Sequence, residues 1–249
     1  LTKPLHPDVV RTRIRAMLRN KAAIDSLEEA ETILFALAQA VEKRDKYTGD
    51  HCDRLAQYSV MLGSAMGMSK SQLVALHRGG YLHDIGKVGI PDHVLLKPGK
   101  LDAQEWALMK THAALGAQAI EQAERDDTSD IDGHPGQPVE FLRFAKEIAR
   151  SHHEMWDGRG YPDGLAGEAI PLSARLMALA DVFDALISRR VYKEPMSYAR
   201  ARSIIEGGQG RHFDPDIAQV FLSGYDDFVA IAEHYGNSVG PAQAGPLVQ

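Results

Sequence analysis

Helical periodicity, punctuated by glycine, proline and aspartate, constrains this sequence more than any other feature. Apolar residues recur three and four positions apart in one segment after another, and runs that alternate apolar with polar residues are scarce. A chain written this way buries helix stripes against helix stripes, so the expected fold is all-α. Helices are expected at about 8–19, 50–66, 70–84, 102–123, 138–151, 172–188, 197–206 and 214–222. An earlier segment, 24–41, puts Ile24, Leu27, Leu34, Ala38 and Val41 on a heptad-like seam, with Glu31 at the odd position. Two uses compete for that seam: an amphipathic helix docked on its own domain, or a signalling or dimerising helix.

Between the helices lie "KPGKL" (97–101), the acidic "RDDTSDIDGHPGQP" (125–138) and "DGRGYPDGLAGEAIP" (157–171). The second reads as a surface insertion that shapes access to a site or simply varies. From 236 on, "GNSVGPAQAGPLVQ" reads as a flexible tail. The net charge of −6 argues against a nucleic-acid polymer as partner, so a small anionic substrate would need locally placed cations. The single cysteine, Cys52, allows no intrachain disulfide, fits a reducing compartment and reads as a small buried thiol. No apolar run is long enough to span a bilayer and no signal peptide is evident, so no membrane is expected and the setting reads as cytoplasmic. A first residue of Leu1 rather than Met reads as a fragment.

The chemistry is carried by five histidines among eleven, with two acids. His83 and Asp84 are adjacent in "YLHDIGK", and a helical reading puts Lys87 on the face of His83. Gly86 removes a side chain and so leaves room for a close approach. His51 stands in "YTGDHCDRL" near a helix start, His112 in "MKTHAALG", and His152 and His153 form a pair. Asp181, in "LMALADVFDAL", is an acid among residues that demand burial, so it needs a partner or a cation. Asp184 would lie beside it, supporting a ligand, facing substrate or on a solvated face. Each feature has an ordinary reading when taken singly: a capping pair for His83–Asp84, a polar helix residue for His51 and His112.

Together, imidazoles mixed with carboxylates suit a pair of iron, manganese, zinc, nickel or cobalt ions. Calcium and magnesium prefer all-oxygen shells. Two such ions about 3.5–4 Å apart, bridged by a carboxylate and a water, are suited to in-line displacement at phosphorus.

At this point the sequence resembles the HD-GYP family, a branch of the HD phosphohydrolase superfamily. His51, "HDIGK", His112, His152–His153, "DGRGYP" and Asp181 stand in the family's order over about 40–223. "IPDHVLLKPGKL" (90–101) and "GQGRHFDP" (208–215) follow the same pattern. The resemblance implies an HD-domain helical bundle with a long N-terminal helix and a GYP loop. It implies a cyclic di-GMP phosphodiesterase yielding linear pGpG and onward GMP. It further implies two divalent transition-metal ions per chain, iron or manganese foremost. In that scheme His112, His152 and His153 hold one ion, Asp84 bridges, and His51, His83 and Asp181 complete the other. Lys87 becomes a phosphate clamp, Tyr161 a substrate contact at the site's mouth, and Arg190 and Lys193 of "RRVYK" (189–193) contacts to phosphate or guanine. On their own, the residues of "RRVYK" read as a solvated helix end. One departure concerns the glutamate that some members carry four residues before the first ligand histidine, together with a third metal. Here that position is Tyr47, which favours two metals and pGpG as product.

Residues 1–22, with Lys3–Pro4, resemble the end of a response-regulator receiver domain, implying an upstream histidine kinase. The organisation expected is a receiver remnant at 1–22, a linking helix at 23–45, the catalytic domain at 46–235 and the tail at 236–249. Diguanylate cyclase (GGDEF) domains and a second copy of the chain complete the implied partners. The competing readings are a phosphodiesterase for another cyclic dinucleotide, an HD-fold di-iron oxygenase, and a sensor or cyclase-docking module without turnover.

Overall fold

The computed structural model describes residues 21, 32–44, 50–127, 140–188 and 195–236. Among them the fold is all-α, with two isolated bridges and no strand. In chain order the helices are α1 (32–44), α2 (His51–Ala65), α3 (Lys70–Gly80), α4 (Asp92–Leu95), α5 (Ala103–Asp127) and α6 (Glu140–Ser151). They continue with α7 (Leu172–Ile187), α8 (Tyr198–Gly207), α9 (Pro215–Ser223) and α10 (Tyr225–Gly236). Short 3₁₀ turns occupy Ile85–Gly89 and Gly167–Ala169.

Local chemistry sets several of these boundaries. Ser69 accepts the backbone N–H of Gln72, whose side chain accepts the Ser69 N–H in return, so α3 begins with a reciprocal cap. Asp214 accepts the N–H groups of Asp216 and Ile217, with Pro215 in the first helical position, where its missing N–H costs nothing.

The core forms where α2 crosses α7. Leu55, Tyr58 and Leu62 meet Leu176, Met177, Leu179, Ala180 and Phe183. The Tyr58 ring stacks on Phe228 of α10 at 5.1 Å and meets Phe183 edge-on at 5.4 Å. Helices α3 and α6 add Leu76, Phe144 and Ile148. Helix α7 is apolar around most of its circumference, which fits a helix packed on several sides. A second cluster, of Ala38, Cys52, Ala56, Tyr81, Leu82, Ile120, Ala145 and Ala149, seats α1, whose Phe35 stacks on Tyr81 at 4.2 Å. Cys52 is buried there, and burial pushes its thiol up.

Three elements differ from the expectations. The helix expected over 70–84 stops at Gly80, and Tyr81–Asp84 form turns leading into the 3₁₀ segment. Two consecutive glycines weaken the helix there, and a Cβ on Gly79 would press on the backbone of Ala145 in α6. His83 and Lys87 therefore do not share a helix face. Helix α5 runs to Asp127, extended past 123 and bearing a Glu121–Arg125 ion pair of 3.0 Å one turn apart. The supposed insertion thus starts as helix, and 128–139 lie outside the described residues. Helix α10 was not anticipated. It follows the break at Gly224, opens with Asp226 and Asp227 in its first turn and buries Phe228 and Ala232. The expectations for 1–20, for Ile24, Leu27 and Glu31, and for the tail beyond Gly236 also fall outside the described residues.

Gly86 brings the 3₁₀ turn against α5. A Cβ at this position would overlap the His112 carbonyl oxygen and crowd the Gly116 N–H. Because backbone, not a flexible side chain, stands in the way, Gly86→Ala is expected to lower stability by about 1–3 kcal/mol. Urea denaturation of the two proteins in chelator measures it.

Candidate metal centre

Each histidine of the candidate site is presented by the end or the face of a helix. His51 is the first residue of α2, His112 lies within α5, and His152 and His153 follow α6 directly. His83 and Asp84 come from the turn after α3, and Lys87 from the 3₁₀ segment. These elements bring two groups of ligand atoms together. Asp84, His112, His152 and His153 offer atoms within 4.8 Å of one another, and so do Glu42, His51 and His83.

The imidazoles are held in one tautomer. His83 Nδ1–H donates to the Gly80 carbonyl at 2.9 Å, His112 Nδ1–H to Met109 at 2.8 Å, and His152 Nδ1–H to Ile148 at 2.9 Å. A carbonyl can only accept, so the proton sits on Nδ1 and the lone pair of Nε2 is free to point elsewhere. All three Nε2 atoms are buried, form no hydrogen bond and face Asp84. His83 Nε2 lies 3.2 Å from Asp84 Oδ2, while His112 and His152 Nε2 lie 3.1 and 3.7 Å from Oδ1. Neutral nitrogen lone pairs against an ionised carboxylate repel each other unless a cation stands between them. That requirement, set by geometry, is what a metal-ligand set satisfies.

Electrostatics agree with this reading. Burial would raise Asp84, but Lys87, His83 and His112 outweigh it and hold the carboxylate well below its ordinary range. The Lys87 ammonium sits 2.6 Å from Asp84 Oδ2. Burial would lower His83, yet Asp84 and Glu42 push it up to about 9, the sign of a site that favours positive charge. His152 is pushed down to about 4 and His153 well below its usual value, both chiefly by burial. Rings that resist protonation are ready to ligate.

His51 is oriented differently. Its Nδ1–H donates to Asp184 Oδ2 at 2.8 Å, and Arg54 grips the same carboxylate at 2.5 and 2.9 Å. Burial would raise Asp184, but the bonds from Arg54 and His51 hold it far below its ordinary range. Supporting a ligand is one of the roles expected of Asp184, and its geometry fits that role; what is corrected is the burial expected of Asp181. Asp184, not Asp181, is the fully buried one, and it orients His51 from behind. Asp181 is 18% exposed, with Oδ1 3.7 Å from His51 Nε2.

Tyr161 stacks on His153 at 4.7 Å and meets Trp106 edge-on at 6.2 Å, so the loop after α6 walls the site. Buried Glu154 accepts the backbone N–H groups of Asp163, Gly164 and Leu165, and Arg150 clamps Asp163 with two bonds of 2.7 Å. Gly160 is required because a Cβ would enter the backbone of Glu154 and Met155. Arg190, Lys193 and Tyr47 lie outside the described residues.

Sequence reasoning missed Glu42, Arg54 and Glu154. Glu42 is 3% exposed, neither of its carboxylate oxygens forms a hydrogen bond, and Oε1 lies 4.0 Å from His83 Nε2. Burial pushes its carboxyl up. The signal was an acid one turn past Ala38, on the helix's inward face.

Known proteins resemble this arrangement. The family model described as "HD domain" matches residues 31–217. A Vibrio cholerae protein named "Probable cyclic di-GMP phosphodiesterase" is 45% identical over 92% of this chain and 52% of its own length. Another, named "3'3'-cGAMP-specific phosphodiesterase 2", is 41% identical over 84% of this chain and 37% of its own. The chain thus spans about half or less of these relatives. The crystal structure of the V. cholerae cyclic GMP-AMP phosphodiesterase V-cGAP3 superposes with a TM-score of 0.57 at 21% identity, covering 88% of this chain and 56% of that one. At that identity the likeness establishes the fold.

The Arg54–Asp184–His51 chain is buried, so removing its acid strands a guanidinium. Asp184→Ala is expected to cost about 3–5 kcal/mol in urea denaturation, far more than an exposed carboxylate would.

Proposed function

The chain belongs to the HD-domain family, and on that footing we propose that it is a metal-dependent phosphodiesterase hydrolysing cyclic di-GMP. The observation that carries this is the set of buried, Nδ1-protonated imidazoles aimed at one buried carboxylate. We assign His112, His152 and His153 to one ion, His51, His83 and Asp181 to the other, and Asp84 to the bridge. Two divalent ions, iron or manganese first, would supply Lewis acidity and a hydroxide at neutral pH.

The protein's own groups do the rest. Lys87, held against Asp84, adds positive charge where a phosphorane would gain negative charge. Tyr161, stacked on His153, offers an aromatic edge at the mouth of the site. Arg190 and Lys193 would meet the ring's phosphates or guanines. In a chain of net charge −6 these cations have to be local. Two ions and no carboxylate at Tyr47 favour pGpG as the main product. No helix among the described residues is long and apolar enough to cross a membrane, in keeping with a cytoplasmic enzyme. Cyclase (GGDEF) docking on the GYP loop, an upstream receiver and a second copy of the chain belong to the same reading. The 41% identity to a relative named for 3'3'-cGAMP favours one second reading, a mixed cyclic dinucleotide as substrate.

Metal-stripped protein, reloaded separately with Fe, Mn, Zn and Ni, is expected to hydrolyse cyclic di-GMP with some ions and not without them. Binding with no turnover under any ion would replace the enzyme with a sensor, and faster turnover of 3'3'-cGAMP would change the substrate. Asp84→Ala is expected to abolish both metal retention and turnover. Lys87→Ala should keep metal and slow hydrolysis by about 10²–10³-fold. An unchanged rate would make Lys87 structural.

A further inference from the structure

Helix α1 reaches the site through one residue. Among the described residues near the cluster, Glu42 alone comes from ahead of α2, and both of its oxygens are buried without a hydrogen bond. An ionised carboxylate in that state is costly. The charged groups acting on it are Lys87, Asp84, His83 and His51; its Oε1 lies 4.0 Å from His83 Nε2, and the carboxylate is within ligand reach of His51. The rest of α1 is fastened to the domain by a modest contact: the Phe35–Tyr81 stack, buried Ala38 and Val41, partly buried Leu34, and Arg44, which bonds Asp92 at 2.6 Å. The outward face of α1 leaves Ile33 and Leu37 more than half exposed.

We propose that Glu42 ligates the ion held at His51 and His83, so that seating of α1 and loading of that ion are one coupled equilibrium. This rests on the metal reading above. A cation at His51 and His83 adds, beside the more general influence of Lys87, a positive charge that the unbonded Glu42 oxygens can ligate directly. A seated α1 supplies an anionic oxygen that the two imidazoles lack. Each event therefore favours the other by the same factor, as linkage demands. Whatever lifts α1 withdraws a ligand, and loss of the ion loosens α1. The segment that precedes the catalytic helices becomes part of the metal centre rather than a spacer.

The test uses the 249-residue chain, stripped of metal and titrated with Mn²⁺ against a competing chelator. Hydrogen exchange of the amides in 32–44 is followed in the same samples. In the unaltered chain, saturating Mn²⁺ is expected to slow exchange across α1 by about 10-fold or more. Glu42→Gln should weaken the weaker of two Mn²⁺ binding steps by about the same factor, within the range that loss of a supporting group at a metal site brings. It should also abolish the Mn²⁺ effect on α1. Ala38→Arg, which cannot stay buried, should weaken the same step from a position that touches no metal. Mn²⁺ binding unchanged by Glu42→Gln, or α1 exchange indifferent to Mn²⁺ in the unaltered chain, overturns the coupling and leaves hydrolysis by the other ligands standing. Failure of the unaltered chain to bind Mn²⁺ at all overturns this proposal together with the metal reading on which it rests.

Discussion

Everything near the site depends on one buried charge. Asp84 is enclosed by His83, His112, His152 and Lys87, and an ionised carboxylate in such a place is tolerated only with compensation on nearly every side. Lys87 supplies one full charge. The imidazoles supply none while their protons remain on Nδ1. The remaining demand for positive charge pushes His83 toward protonation and makes the cluster a receptor for cations. The same enclosure that makes the apo site costly makes a bound ion strongly favoured.

The fold meets this demand with backbone rather than with further side chains. Three of the rings are fixed by carbonyls three or four residues earlier, at or near the ends of α3 and α6 and along α5. The Gly80 and Ile148 carbonyls that accept the Nδ1–H of His83 and His152 also accept the backbone N–H of the same residue, so one helix-end oxygen fixes both ring and backbone with its two lone pairs. His51 is the first residue of α2, and there the ring is fixed by side chains, Asp184 of α7 with Arg54 of α2. The difference sets one ring, held by a buried ion pair, apart from the three held by carbonyls. It also ties the site to the α2–α7 crossing at the centre of the core.

The all-α class was legible because helical periodicity is a local property that each segment carries by itself. His51, His83, Asp84, His112, His152 and His153 could be picked out as residue types in a familiar order, and the structure brings them together. What escaped is the set of features decided by packing. Asp181 and Asp184 sit three residues apart on one helix, and hydropathy cannot say which is buried; a partner 130 residues away, Arg54, decides it. The stop at Gly80 answers to the backbone of α6, and the length of α5 to side-chain pairs along it. Glu154 stands between the histidine pair and the glycine-rich loop, where no periodicity marks it as buried. It proves to be the hydrogen-bond hub that shapes that loop.

Glu42 shows why the limits of a functional unit should be drawn by unmet bonding demand as well as by sequence motif. By motif, the catalytic unit begins near residue 46, and α1 is only what comes before. By burial, α1 ends in a carboxylate with no proton donor, 4.0 Å from a ligand nitrogen. An apolar residue at that position would have packed against the second core cluster at no electrostatic cost, as Ala38 does one turn earlier. A charge placed there instead raises the cost of seating α1 without metal and lowers it with metal. The acid therefore makes the docking of α1 conditional, which an aliphatic side chain could not do.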